Sequence, residues 1–168
     1  MEETPKNSTE NREVHVTRRK ASSTDEDFVR RTHHAAYYGV VTRQFGSFDE
    51  KIQDGYFAQS WKPEHHEILL DEAGREVGYC SIERLHDHIR IHELVIAPEF
   101  QGQGIGTKVL QEVQEESRAK KIPVTLQVLR ENEAQHLYRK VGFKDIGETD
   151  THIQMEFNPE SLGGEASK

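Results

Sequence analysis

The sequence predicts one α/β domain, α+β in its layering, with a mixed and mostly antiparallel sheet of about seven strands flanked by about four helices. Three observations carry that expectation. Short alternating apolar runs recur along the chain and are separated by longer stretches with helical spacing. The middle runs are joined by turns too short for a crossover, so those strands should pair antiparallel. One run, residues 89–97, stops at Pro98 and enters a helix through a glycine-rich turn with no spacer.

A chain of 168 residues is one domain of ordinary size. Residues 1–12 are polar and aperiodic and are expected to form a disordered arm; the domain should occupy 13–157, and 158–168 reads as a flexible tail. In 13–20, Val14 and Val16 alternate with charges, which suggests a first strand. Thr24 is a candidate N-cap for a helix over 25–38, with Phe28, Val29, Thr32, Ala35, Ala36 and Tyr38 on one face. A second helix is expected over 48–58, although Gly55 weakens it. Aromatics recur here, from Tyr37, Tyr38, Phe45 and Phe48 to Tyr56, Phe57 and Trp61, and at such spacing the commoner role is core.

Strands over 67–71, 76–83 and 89–97 form a meander, with turns at 71–75, where Gly74 is the tip, and at 85–88. Cys80 is the single cysteine, so no internal disulfide exists; in mid-strand it reads as a buried, inert thiol. After the glycine turn, Ile105, Val109, Leu110 and Val113 fall at helical spacing, and Lys120, Lys121 and Pro123 end the helix. A strand over 124–130, a short helix over 131–141 stopped by Gly142, and strands over 143–146 and 151–157 complete the domain.

Composition narrows the function classes. A net charge of −8 disfavours a nucleic-acid partner and suits a cationic amine. No apolar run approaches the roughly 18 residues that span a bilayer, and the polar start lacks a signal-peptide core, which predicts a cytoplasmic protein without membrane contact. The ten histidines include His86, His88 and His92 in one stretch, but no set has known zinc spacing and turn imidazoles are usually solvated, so no metal is expected. His152 is a better pocket residue.

The stretch from Ile89 to Leu110 carries the chemistry. Gly102, Gly104 and Gly106 lack the Cβ atoms that would keep a ligand off the backbone, and the following helix adds unpaired N–H groups and the positive end of its dipole. This is an anion cradle suited to a pyrophosphate. Its spacing is Gly-x-Gly-x-Gly, which matches neither a dinucleotide fingerprint nor a phosphate loop ending in Gly-Lys.

Gln101-x-x-Gly104-x-Gly106 directly after Val-Ile-Ala-Pro-Glu-Phe resembles the acyl-CoA signature of the GNAT superfamily of N-acyltransferases. A second block, Val128 to Phe143, resembles that family's Asn, Ala, Leu-Tyr, Gly-Phe block. Five residues separate Asn132 from Tyr138, one fewer than in the commonest form, and Gln127 stands where some members place an acid.

The resemblance implies a fold whose two central strands splay apart and an enzyme that uses acetyl-CoA as co-substrate. The backbone of Leu94, Val95 and Ile96 would pair with the pantetheine arm. Gln101, Gly102, Gln103, Gly104, Ile105, Gly106 and Thr107 would hold the pyrophosphate, with Asn132 and Tyr138 also near the cofactor. A primary amine of a small molecule or peptide would attack the thioester directly, through a tetrahedral intermediate. Tyr138 matches the family's general-acid tyrosine beside the sulfur, and Glu93 is the candidate base, with His92 as the alternative and a β-bulge deciding which face Glu93 meets. Some rings between residues 25 and 61 would face the acceptor. Dimers are common in the family, so a homodimer is compatible with the resemblance. A CoA-binding regulatory module without catalysis is the other reading.

Overall fold

The computed structural model describes residues 13–160. The arm expected over 1–12 and most of the tail, 161–168, lie outside the described residues. Seven strands form one sheet in the order β1-β2-β3-β4-β5-β7-β6. They are β1 (Val16–Lys20), β2 (His66–Asp71), β3 (Glu76–Arg84), β4 (Ile89–Ile96), β5 (Val124–Leu129), β6 (Lys144–Glu148) and β7 (His152–Phe157). The helices are α1 (Glu26–Phe45), α2 (Glu50–Ser60), α3 (Ile105–Lys120) and α4 (Ala134–Lys140). Every neighbouring pair is antiparallel except β4 and β5, which α3 connects in parallel.

α1 differs most from expectation. Its entry is set by the Asp25 carboxylate, which accepts from the Ser22 amide at 2.8 Å and is gripped by both Arg19 nitrogens at 2.9 Å. The Arg19 hydrogen bonds hold the Asp25 pKa below the usual carboxylate value. Thr24, expected as the cap, sits inside the short 3-10 turn Ser23–Asp25. The helix then runs through Gly39 to Phe45 and stops only at Gly46, whose φ of 89° is left-handed. A glycine costs a helix about 1 kcal/mol. Here the buried stripe of Val29, Thr32, Val40 and Val41 continues at helical spacing across Gly39, so packing outweighs propensity. Tyr38 and Ala35, expected on the buried face, are exposed. α2 begins two residues later than expected, because Asp49 caps it by accepting from the Ile52 amide at 3.1 Å.

The two faces of the sheet bury separate clusters. Ile89, Ile91, Leu126, Val128 and Met155 pack with Leu110 and Val113 of α3 and Tyr138 of α4. On the other face Ile68, Tyr79 and Val95 pack with Val29 of α1 and Phe57 of α2. Of the aromatic run, Phe57 is therefore core, whereas Tyr38, Phe45 and Tyr56 are more than half exposed. Among the described helices none is long and apolar enough to cross a membrane.

One irregularity positions the site. Ser81 pairs with Glu93 and Ile82 with Ile91, so His92 is an extra residue on β4, a β-bulge. Side chains alternate along a strand, and the extra residue inverts the alternation. Ile89 and Ile91 point toward α3, and after the bulge Leu94 does so too, while Glu93 and Val95 turn toward α1 and α2. Without His92 in the bulge, Glu93 would face the α3 core.

Candidate active site

β4 and β5 pair over only three positions, Ile89 with Val124, Arg90 with Thr125 and Ile91 with Leu126. Beyond them the strands separate, and the facing backbone edges of residues 92–96 and 127–129 have no strand between them. Such edges carry unspent N–H and C=O groups and form a template for an extended, amide-bearing ligand.

A cavity of about 580 Å³ opens along this gap. Leu94, Val95 and Ile96 form its β4 wall, and the glycine turn and the start of α3 close one end. Gly102 and Gly104 have φ values of 77° and 84°, a conformation that side-chain-bearing residues rarely adopt, which explains glycine at both. The Gln101 side chain donates to the Ile96 carbonyl at 3.0 Å and ties the turn to the end of β4. The first α3 amide with an acceptor in the turn is Lys108, bonded to the Gly104 carbonyl at 3.0 Å, so the amides before it remain available at the helix N-terminus. Every residue predicted for the donor site lines this cavity except Gln103, which is exposed in the turn and lies outside the lining. It falls at the tip between the two left-handed glycines.

A second chamber of about 220 Å³ lies beside the first. Tyr37, Leu94, Asn132 and Tyr138 belong to both walls and form the passage between them. Glu93, His92, Gln127 and His152 line only the second chamber. The structure thus places both predicted proton-handling side chains in the wall of the second chamber, Glu93 from β4 and Tyr138 from α4.

Glu93 is 19% exposed, and burial raises its pKa above the ordinary glutamate value. Tyr79 and His66 oppose that shift. His66 Nδ1 donates to the Lys62 carbonyl at 2.8 Å, which leaves Nε2 facing Glu93 at 3.9 Å. The Tyr79 hydroxyl is fully buried and finds no partner at hydrogen-bond distance, though it lies near enough to act on Glu93.

Tyr138 is 8% exposed, its hydroxyl forms no hydrogen bond among the described residues, and burial pushes its pKa up to about 12. It therefore keeps its proton at neutral pH and can only donate or accept a hydrogen bond until a stronger base forms beside it. Tyr37 lines both cavities, and its pKa is raised by burial first and then by its proximity to Glu93 and Tyr138.

The remaining candidates fall into place around this passage. His92 is half exposed and its Nε2 lies 2.9 Å from Glu83 Oε1, so the bulge residue is engaged at the rim. His152 lines the chamber as expected, with its Nδ1 2.7 Å from the Thr151 hydroxyl and its pKa lowered by burial. Cys80 is buried and its thiol is pushed up to about 12 by desolvation, so it is inert. His86 is almost fully exposed, and among the described residues no three His, Cys, Asp or Glu side chains converge as a metal site.

Sequence reasoning missed Tyr37, His33 and Arg43. For Tyr37 the sequence leaves core and acceptor-facing roles open within an aromatic run, and it is the one ring of that run to reach both cavities. Arg43 brings a cation to the larger cavity and donates to the Glu131 carbonyl at 3.2 Å, but it lies on the part of α1 beyond Gly39 that was not expected to be helical.

Comparison with known proteins agrees with this geometry. Residues 63–145 match the acetyltransferase (GNAT) domain family, and the chain belongs to the GNAT superfamily. Among characterised relatives, the N-alpha-acetyltransferase RimI of Mycobacterium tuberculosis is 34% identical over 90 residues, which cover 51% of this chain and 56% of that protein. The putative [ribosomal protein bS18]-alanine N-acetyltransferase of Bacillus subtilis is 30% identical over 88 residues, covering 51% and 58%. The matched segment therefore spans little more than half the length of either relative. Among solved structures, PaiA N-acetyltransferase of Thermoplasma acidophilum, in complex with coenzyme A, superposes with a TM-score of 0.70 at 17% identity, covering 86% of this chain and 99% of that one. At that identity the likeness concerns the fold.

Proposed function

We propose that this protein is an N-acetyltransferase that moves the acetyl group of acetyl-CoA to a primary amine, with the free N-terminus of a peptide as the first acceptor to test. One observation carries the reading. The unpaired edges of β4 and β5 open onto a cavity with an amide-lined helix end at one extremity and, past Tyr138, the chamber that Glu93 lines at the other. Strand edges suit the two amides of a pantetheine arm, and the available amides of residues 102–107 suit a pyrophosphate. The relatives named for N-terminal or ribosomal-protein acetylation favour a peptide amine over a small one.

The chemistry assigned to the side chains follows from their surroundings. A primary ammonium, with a pKa of roughly 10, must lose a proton before it can attack. Glu93 faces the second chamber with a raised pKa, which suits a group that takes a proton and releases it again. Tyr138, protonated and without a partner at the passage between the cavities, donates to the departing thiolate. Acetyl-CoA supplies the activated acyl group. No covalent enzyme intermediate is required, because the nearest thiol, Cys80, is buried and inert.

Thiol release from acetyl-CoA, measured across a panel of amines that includes a short peptide beginning with alanine, tests the proposal. Turnover with at least one amine is expected, together with a mass gain of one acetyl group on the acceptor. Tight CoA binding with no turnover across the panel would replace it with the regulatory-module reading.

A further inference from the structure

A line of three side chains that the chemistry above does not use leads out of the second chamber. His33 lines the chamber from α1. Its Nδ1 lies 3.0 Å from His34 Nδ1, and His34 Nε2 lies 2.7 Å from Asp54 Oδ1 on α2. His34 is 12% exposed and Asp54 40% exposed, so the line runs from the chamber through a buried imidazole to the surface. Arg30 Nε also donates to Asp54 Oδ1, at 2.7 Å.

These contacts admit an arrangement of hydrogens that runs unbroken from the chamber to Asp54. His34 and Arg30 hold the Asp54 pKa below the usual carboxylate value, so Asp54 is an ionised acceptor and His34 Nε2 carries the hydrogen. In the arrangement that makes a continuous path, His34 Nδ1 accepts across the 3.0 Å contact and His33 Nδ1 carries the hydrogen. His33 Nε2 is left as a lone pair, and that atom has no hydrogen-bond partner among the described residues. Burial, and then the neighbouring His34, lower the His33 pKa to about 4, so at neutral pH the ring can receive a proton but does not keep it.

We propose that His33, His34 and Asp54 form a proton relay that carries the proton released by the acceptor amine from the second chamber to solvent. This rests on the acetyl-transfer reading. An ammonium and a thioester yield an amide, a thiol and one free proton. The nitrogen sheds two protons in all; one ends on the sulfur, and the other has to leave. In the relay an N–H bond forms at His33 Nε2 as the proton on Nδ1 passes to His34 Nδ1. The hydrogen on His34 Nε2 passes to Asp54 Oδ1 and on to water. One proton enters, one leaves, no electron changes hands, and exchange of the ring hydrogens with water returns both imidazoles to their starting tautomers before the next turnover. The groups facing His33 besides His34 are Tyr37, whose ring centroid is 4.7 Å away, and across the chamber Glu93, His92, Tyr138 and His152. Glu93 is the one carboxylate among them, and it is the group from which the relay receives its proton.

Two measurements on the full chain test the relay. Nitrogen-15 imidazole spectra should show His33 neutral with hydrogen on Nδ1, and His34 with hydrogen on Nε2. With acetyl-CoA and an alanine-initiated peptide, H33Q and H34Q should each lower kcat about 10-fold or more, short of the roughly 100-fold lost with a general acid or base because water still carries part of the proton flow. The peptide KM should stay within about 2-fold, D54N should show a smaller loss of the same kind, and added imidazole should restore H33A. Hydrogen on His33 Nε2, or unchanged kcat in both histidine variants of an active enzyme, overturns the relay alone. An inactive wild type overturns the acetyl-transfer reading and the relay with it.

Discussion

The two halves of the site are made from different materials. The half that we propose holds the donor consists mostly of backbone: two strand edges left unpaired, a turn with two left-handed glycines, and the N-terminus of a 16-residue helix. The half that we propose receives the acceptor is made of side chains, contributed by α1, α2, α4, β4, β5 and β7 and arranged around a bulge at His92. A backbone site depends on where the chain lacks side chains, so few replacements preserve it. A side-chain site can be rebuilt residue by residue on the same frame, which is how one cofactor cradle can serve many acceptors.

The largest expected effect lies where the halves meet. Tyr138 borders both cavities, and its replacement by Phe keeps the ring in the α4 core beside Phe143 while removing the hydroxyl. Turnover should fall about 100-fold, the scale of a lost general acid, with CoA affinity within about 2-fold of wild type. Steady-state kinetics and CoA titration read the two separately, and equal turnover would remove Tyr138 from the chemistry.

Glu93→Gln tests the acceptor half and should lower kcat about 10-fold, less than the roughly 100-fold of a fully lost general base because water in the open chamber can still take the proton. It also has a stability signature with a definite sign. Burial raises the Glu93 pKa in the folded chain, so folding favours the protonated acid, and the wild type loses stability as pH rises through that pKa. The amide carries no such charge. The variant should therefore melt higher than wild type at pH 8, by roughly 2–4 °C for each kcal/mol gained, and the advantage should shrink as the pH is lowered and Glu93 takes up its proton. A pH-independent difference in Tm would show that Glu93 is not a buried charge in the folded protein.

Gly104→Ala tests the donor half with a smaller expected effect. Its φ of 84° would be imposed on a residue with a Cβ, at a cost of about 1–2 kcal/mol, and that atom would lie 3.3 Å from Val14 Cγ2. The melting temperature should drop by a few degrees and the CoA dissociation constant should rise several-fold, about 10-fold at most, with the peptide KM unchanged. A selective rise in peptide KM instead would mean that the glycine turn serves the acceptor.

This contrast also explains what could be read in the sequence. Gly102, Gly104 and Gly106 are visible because missing side chains at fixed spacing have few structural explanations, and the strand before them and helix after them follow from periodicity. The seven strands were legible for the same reason, since alternation registers burial on one face. The length of α1 was not, because Gly39 weakens the local signal and only the burial of Val40 and Val41 in the folded chain favours the helix beyond it. That error hid Arg43. The bulge at His92 was named as a possibility, but nothing in Ile-His-Glu-Leu indicates which residue pairs with Ser81 across the sheet. Pairs such as His34 with Asp54, 20 residues apart on two helices, exist only once α1 and α2 pack.

The smallest effect is expected from Gln127→Glu, which asks whether the acceptor half has room for a second carboxylate. Gln127 lies on the β5 side of the gap, exposed, lining the same chamber as Glu93. An acid introduced there shares the chamber with Glu93, and like charges disfavour ionisation, so the Glu93 pKa should rise further. If Glu93 is the base, kcat at high pH should stay within about 2-fold of wild type, because the carboxylate that takes the proton is already in place. The acidic limb of the kcat–pH profile should move to higher pH, since more alkaline conditions are needed to ionise Glu93 beside a second negative charge. An acidic limb that stays fixed while kcat rises would mean that the new acid does the work on its own, and the base would then belong to β5 instead of β4.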